Sequence, residues 1–442
     1  MLQPMMDDMV RKNKSNRQGL LGLVDDTPAR NVPQTSHQHA MAVRSPNNLE
    51  ELKSLLLLAE KSCAVIFFTS QTCPPCKPLY PVYQELAKDT ADRAIVIKVD
   101  IDIAFDISRA YEIRATPTFI TFLNGEQENR WSGSDPNMLR QNVQTLVQMA
   151  WPPHPHQNLR LPTLRGANTT PVLYSKIPPL EKLMTKIGNQ AQDPAIQGVK
   201  MFISAKATGG DAEATLPDLD AFSLFLRGAI HDITPDVLFA VVDLLRVAMS
   251  DLRFSGYYAE EKDHKTIGPL LDYVNNLPDC PYSLRLVALQ TACNLFSSPL
   301  YVDHILCCPT LTSPIVQLIT TSLLDDKHHN VRVAASSLAF NIATSNSKYR
   351  IQEHKAGLPE GDQVELAASI LEAIAMEESS PEALKGFLLA FGYLVYCAPK
   401  DSELVDLIKS MDAQGTVLEK SKLFPKESLV TEVGKELLGK GL

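Results

Sequence analysis

Three stretches in the second half of the chain repeat one another: Arg285-Leu-Val-Ala-Leu-Gln-Thr-Ala-Cys-Asn294-Leu-Phe, Arg332-Val-Ala-Ala-Ser-Ser-Leu-Ala-Phe-Asn341-Ile-Ala and Lys385-Gly-Phe-Leu-Leu-Ala-Phe-Gly-Tyr-Leu394-Val-Tyr. Their first residues lie 47 and then 53 positions apart. A unit of that length is one supersecondary element that cannot bury its apolar face alone, so neighbouring units must stack into a helical solenoid. Small residues at Ala288, Ala292, Ala335, Ala339 and Gly392 allow the close approach that stacking needs. From Val172 onward strand signals vanish and apolar residues recur at helical spacing over 179–190, 219–227, 234–249, 265–277, 281–296, 313–324, 330–344, 362–376, 381–397, 403–411 and 427–438. A solenoid of this kind normally offers an extended concave groove to a peptide.

The first half reads differently. Residues 64–68 (Ala-Val-Ile-Phe-Phe) form a short, continuous apolar run that predicts a buried strand. It leads into Thr69-Ser70-Gln71-Thr72-Cys73-Pro74-Pro75-Cys76-Lys77, and 78–88 carries Leu79, Val82, Tyr83 and Leu86 at helical spacing. Cys73 is thus expected at a helix N-terminus, where unpaired N–H groups and the helix dipole favour a thiolate. Cys76, a turn later, is its resolving partner. Half a zinc site is the competing reading, but tetrahedral zinc needs four ligands, and no second CxxC or HxxxH follows. A second competitor makes both cysteines inert packing residues. A capped helix over 47–60, a strand over 94–99, a helix over 106–111, strand residues over 113–122, an Asn124-Gly125 hairpin turn, a return strand over 128–131 and a helix over 137–149 complete a sheet with helices on both faces.

Composition narrows the function. A hydrophobic share of 45% and a charged share of 21% describe a globular chain, and a net charge of -9 argues against general affinity for nucleic acid or anionic membrane. No apolar run approaches the roughly 18 residues of a membrane span. The eight cysteines, at 63, 73, 76, 280, 293, 307, 308 and 397, lie mostly in apolar segments, as expected of reduced thiols in the cytoplasm or nucleus. No cofactor and no metal is implied.

The domain plan is a tail over 1–46, an α/β domain over 47–150, a proline-rich linker over 151–171 and an all-α domain over 172–442. Leu2, Met5, Met6 and Met9 follow helical spacing before a polar, flexible stretch. His154 and His156 in the linker read as a solvated connector, with metal binding the sharper alternative.

Residues 47–150 resemble thioredoxin, through Cys73-Pro74-Pro75-Cys76-Lys77 and Ala115-Thr116-Pro117-Thr118-Phe119. The resemblance implies a cis Pro117 facing the sulfurs, with Cys73 as nucleophile and Cys76 as resolving thiol. Two positions depart from it: Thr72 stands where the family has an aromatic, and Phe67 where it has a buried proton-relay aspartate. Lys98 is kept without that partner. A binding or client-presenting module of weak or latent thiol-disulfide activity is implied, with an active protein-disulfide reductase as the alternative.

Residues 170–442, about three-fifths of the chain, resemble the PUL domain, an armadillo-like module, through Pro171-Val-Leu-Tyr-Ser and the stretches 283–296 and 330–343. The fold expected is therefore an α/β thioredoxin fold followed by an all-α armadillo-like (PUL) solenoid. The resemblance implies binding of the acidic C-terminal tail of the valosin-containing AAA ATPase, and so an adaptor handling ubiquitin- or SUMO-modified clients. In armadillo modules asparagines placed like Asn294 and Asn341 bond the backbone of an extended peptide. Arg285 and Arg332 are candidates to neutralise an acidic tail, although nine residues from each asparagine is about half a turn around the helix. The opening Met-Leu-Gln-Pro-Met-Met resembles the last helix of PPPDE-type isopeptidases, so the order looks like the rear of a PPPDE-thioredoxin-PUL arrangement.

Overall fold

The computed structural model describes residues 43–90, 93–209, 214–353 and 357–442, which fall into two compact units, one ending at His154 and the other running from Pro155 to Leu442. The helix expected near Leu2 to Met9 lies outside the described residues.

In the first unit, β1 (Cys63–Thr69) is buried along its whole length, which is why it reads as an uninterrupted apolar run. It pairs parallel with β2 (Ala94–Asp100) and antiparallel with β3 (Thr118–Leu123), and β4 (Glu126–Ser132) completes the order β2-β1-β3-β4. Asn124 and Gly125 turn the β3–β4 hairpin, both with positive φ, as a tight turn of this kind requires. The strand expected from residue 113 begins only at Thr118, after Pro117, which has no N–H to give a ladder.

Alternate residues of the sheet feed two apolar layers. Val65, Phe67 and Phe119 face α2 (Leu79–Asp89) and α4 (Pro136–Ala150), while Ile66, Phe68 and Ile120 face α1 (Leu49–Leu58) and α3 (Phe105–Ala110). Asn48 caps α1 by accepting the Glu51 N–H at 2.9 Å.

The second unit is built on a row of four helices, α5 (Pro235–Ala248), α6 (Tyr282–Leu295), α7 (His329–Glu353) and α8 (Pro381–Val395), each packed on the next. The first three begin at 47-residue intervals. The sequence repeat picked out α6 to α8 but not α5, because Val247 stands in α5 where Asn294 and Asn341 stand in α6 and α7. α5 itself was expected as a helix over 234–249, whereas helices Pro194–Gly209, Leu252–Ala259 and Pro299–Cys307 were not anticipated. No single helix among the described residues is long and apolar enough to cross a membrane.

The segment 151–171 is not the free linker its prolines suggest. Trp151 stays with the first unit, its indole N–H donating to the Arg93 carbonyl. From Pro155 the chain is built into the second. His156 is fully buried, and because its Nδ1 accepts the Cys397 N–H at 2.9 Å, Nε2 carries the proton and donates to the Gly441 carbonyl at 3.0 Å. It is neither a solvated connector nor a metal ligand.

Leu161 and Leu164 sink into the core on either side of Pro162, the first residue of the short helix Pro162–Gly166. The buried Glu432 carboxylate takes the Thr163 and Leu164 N–H groups at 2.9 and 3.0 Å. Only Pro152, Pro153 and His154 remain between Trp151 and this anchored stretch.

Candidate functional sites: a buried dithiol and a strapped groove

Cys73 and Cys76 are joined as a disulfide, with Cα atoms 5.4 Å apart. Cys73 is not in the first turn of α2. It caps a 3-10 turn, Pro74–Cys76, and Lys77 and Pro78 continue with helical backbone into α2.

The loop before it is held by a residue that sequence reasoning passed over. The Asp102 carboxylate accepts the Ser70 hydroxyl at 2.7 Å and the Gln71 N–H at 3.1 Å, and Ser70 Oγ accepts the Thr72 N–H at 3.2 Å. Asp102 closes the Asp100-Ile101-Asp102 run at the end of β2, and nothing local to that run announces its contact with Ser70. Cys73 is 6% exposed, whereas Cys76 is fully sealed. The Thr116-Pro117 peptide is cis, and Pro117 is buried at the head of β3.

In the same apolar layer as the disulfide, Phe67 is fully buried, stacked on Phe119 with ring centroids 4.7 Å apart and edge-on to Tyr83 at 5.2 Å. Lys98 lies 5.6 Å over the Tyr80 ring instead of meeting a carboxylate. Burial pushes the Tyr83 hydroxyl well above its ordinary range, and its one proton is shared between the carbonyls of Val65 and Ile97. The remaining buried thiols are poor nucleophiles: burial raises Cys63 and Cys397 to about 11, and Cys293 further. Cys307 is exposed and Cys308 half-buried.

The second site is the face of the row α5 to α7, where the asparagines do what the sequence suggests but to an unexpected partner. Asn341 Oδ1 accepts the Val172 N–H at 2.7 Å, and its Nδ2 donates to the Val172 carbonyl at 3.0 Å. Asn294 repeats this at 2.7 and 3.0 Å with Tyr174 and donates again to the Arg246 carbonyl. Arg246, at the end of α5, continues the row by donating to the carbonyls of Tyr174 and Lys176. The bound peptide is thus this chain's own residues 172–176, a strap laid across successive repeats. Both asparagines are fully buried beneath it. Their assignment to a partner is therefore corrected: both amides bond the strap and are buried beneath it.

Arg285 and Arg332 are corrected as well. Arg285 is half-buried and donates to Thr321 Oγ1 at 3.2 Å. Arg332 donates to the Asp325 carbonyl, and its Nε lies 3.3 Å from the buried Glu377 carboxylate. Neither reaches the strap, as half a turn from the asparagines requires.

Burial opposes ionisation of Glu377, yet the N–H groups of Ser380 and Ser379 and the Arg332 charge outweigh it and hold the carboxyl below its ordinary value. A depressed carboxyl stabilises the fold above its unfolded-state pKa and loses that contribution as pH falls through the folded value. Glu377→Gln is expected to flatten the acid limb of a plot of melting temperature against pH. An unchanged limb would assign the acid sensitivity to other carboxylates. Among the described residues no group of three or more His, Cys, Asp or Glu is arranged to hold a metal.

Comparison with known proteins matches both parts of the chain. The thioredoxin family model matches residues 47–145, and the PUL domain model matches residues 167–436, more than half of the chain. The chain belongs to the PUL domain family. Its PUL domain, a protein-interaction domain, follows a thioredoxin domain.

Over the thioredoxin domain the chain is 42% identical to thioredoxin of Mycoplasmoides gallisepticum across 89 residues, covering 20% of this chain and 86% of that protein. It is 29% identical to thioredoxin of Gallus gallus across 105 residues, covering 24% and 99%. Against the chloroplastic thioredoxin Y of Oryza sativa it is 35% identical over 97 residues, covering 22% of this chain and 57% of that protein. Among solved structures, Fasciola hepatica thioredoxin is 27% identical, with 24% of this chain and 99% of that one covered and a TM-score of 0.23.

Proposed function

We propose that this protein is an adaptor of the ubiquitin and SUMO pathway, whose PUL domain binds the acidic C-terminal tail of the valosin-containing AAA ATPase. In this reading the thioredoxin domain presents or captures clients and turns over weakly. The observation that carries it is the PUL domain itself, a protein-interaction domain spanning residues 167–436, joined to a thioredoxin domain with Phe67 in the relay position. The working place is the cytoplasm, and the nucleus with it. Clients are ubiquitin- or SUMO-modified proteins.

Calorimetry of the full chain against the ATPase tail peptide tests this. Measurable binding is expected, and it weakens as salt rises, because cations at the protein surface meet the acids of the tail. No heat and no retention on immobilised tail peptide would end the adaptor reading.

The disulfide between Cys73 and Cys76 in a thioredoxin domain favours a second reading, a working protein-disulfide reductase. Turnover separates the two.

A further inference from the structure

The strap uses its backbone on one side only. In an extended chain the N–H and C=O groups of successive residues point to alternate edges of the ribbon. Val172 and Tyr174 direct both of theirs at the asparagines, and Lys176 follows with its carbonyl on Arg246. Leu173 and Ser175 therefore present theirs on the opposite edge, where no hydrogen bond among the described residues engages either backbone. The side chains alternate too. Val172 and Tyr174 pack against the solenoid core, while Ser175 is exposed.

An unpaired strand edge is a template for another extended chain, and proteins usually blunt it with proline, charge or a covering element. Here Pro171 and Pro178 bound the edge, and the backbone groups of Leu173 and Ser175 stand unpaired between them. Glu382 acts on the Tyr174 hydroxyl from the solenoid and Asp243 pairs with Arg246, while two exposed cations flank the strap. Lys176 and Lys348 are both exposed, and the Lys348 ammonium sits 2.9 Å from the Thr169 carbonyl, so a cation stands near each end.

We propose that this edge is the docking strand for an extended acidic peptide, which adds beside the strap through the N–H and C=O groups of Leu173 and Ser175 and sets its carboxylates toward Lys176 and Lys348. The proposal rests on the tail-binding reading above and says how the tail is held. The asparagine row then acts indirectly, since it fixes the strap as a rigid template and so spares the partner the cost of ordering it. Backbone pairing supplies affinity that is nearly independent of side chains, and the lysines select for acid.

The full chain and the ATPase tail peptide provide the test. In the free protein, hydrogen exchange should find the Val172 and Tyr174 amides protected and those of Leu173 and Ser175 open. Adding the tail peptide should slow the latter two about tenfold or more. A series of tail peptides, each N-methylated at one amide, should lose about tenfold in affinity at every second position and little at the positions between. Ser175→Pro removes one edge donor and should weaken binding without lowering the melting temperature. Should that variant misfold, the peptide series on the unaltered chain decides. Tail binding with no protection at Leu173 and Ser175, or with no alternation in the series, overturns the docking edge and leaves the adaptor reading standing. Failure of the unmodified tail to bind overturns both.

Discussion

Alanine at both Asn294 and Asn341 is expected to destabilise the helical unit by about 2 to 6 kcal/mol, at roughly 1 to 3 kcal/mol for each buried amide whose partners are left unpaired. Each asparagine holds both backbone groups of one strap residue, and Asn294 also ties the end of α5 through the Arg246 carbonyl. Losing one loosens the strap for the other, so the two effects are coupled and the double variant costs less than the sum of the singles. Against a total of about 5 to 15 kcal/mol for an ordinary domain, that is a large share. Urea unfolding monitored in the helical signal measures it, with exchange at Val172 and Tyr174 as the local readout. An unchanged midpoint with those two amides still protected would mean that something other than the asparagines holds the strap. Reduced tail affinity in this variant would follow from a lost template, not from lost direct contacts.

The groove shows where the sequence was legible and where it stopped being so. That Asn294 and Asn341 bond an extended backbone could be read from their equivalent places in a repeat, because periodicity along one helix is local information. Whose backbone they bond could not. Pro171-Val-Leu-Tyr-Ser-Lys-Ile has no helical or strand signature of its own, and its structure is set by contacts 169 residues away for Val172 and 120 for Tyr174. The same holds for 151–171. Its prolines resemble a spacer, but Pro155 and Pro162 open short helical turns, and their anchors, Cys397, Glu432 and Gly441, lie more than two hundred residues on. In the first unit nearly everything was legible, since the buried run of β1, the Asn-Gly turn and the Cys-Pro-Pro-Cys motif are each short-range signals. Asp102 was an exception, since its role in holding the loop depends on a contact 32 residues back to Ser70, and so were the late start of β3 and the 3-10 turn that separates Cys73 from α2.

Reduced protein is expected to capture disulfides readily and release them slowly, turning over insulin about a hundredfold more slowly than a thioredoxin with an acid-base group beside its resolving thiol. In the first step the Cys73 thiolate attacks a client disulfide, forming a Cys73–client disulfide and expelling the client's other sulfur as thiolate. In the second, Cys76 must lose its proton and attack Cys73, releasing the client thiol and closing the internal disulfide; an external dithiol then restores the reduced pair. Only the second step is hindered. Cys76 is sealed in the layer with Phe67, Leu79, Tyr83 and Phe119, and the residue on β1 that would take its proton is Phe67, stacked on Phe119. A charge forming there meets rings in place of a solvating group. Intact mass after mixing with a small aromatic disulfide should find the adduct on Cys73 persisting at pH 7, and its decay should quicken about tenfold per pH unit while deprotonation of Cys76 limits it. Cys73→Ser should abolish capture, and Cys76→Ser should leave a longer-lived adduct whose decay no longer follows the ionisation of Cys76. Insulin reduction at the rate of an ordinary thioredoxin, with no adduct detected, would replace the capture module by a working reductase and shift the balance of function from adaptor to enzyme.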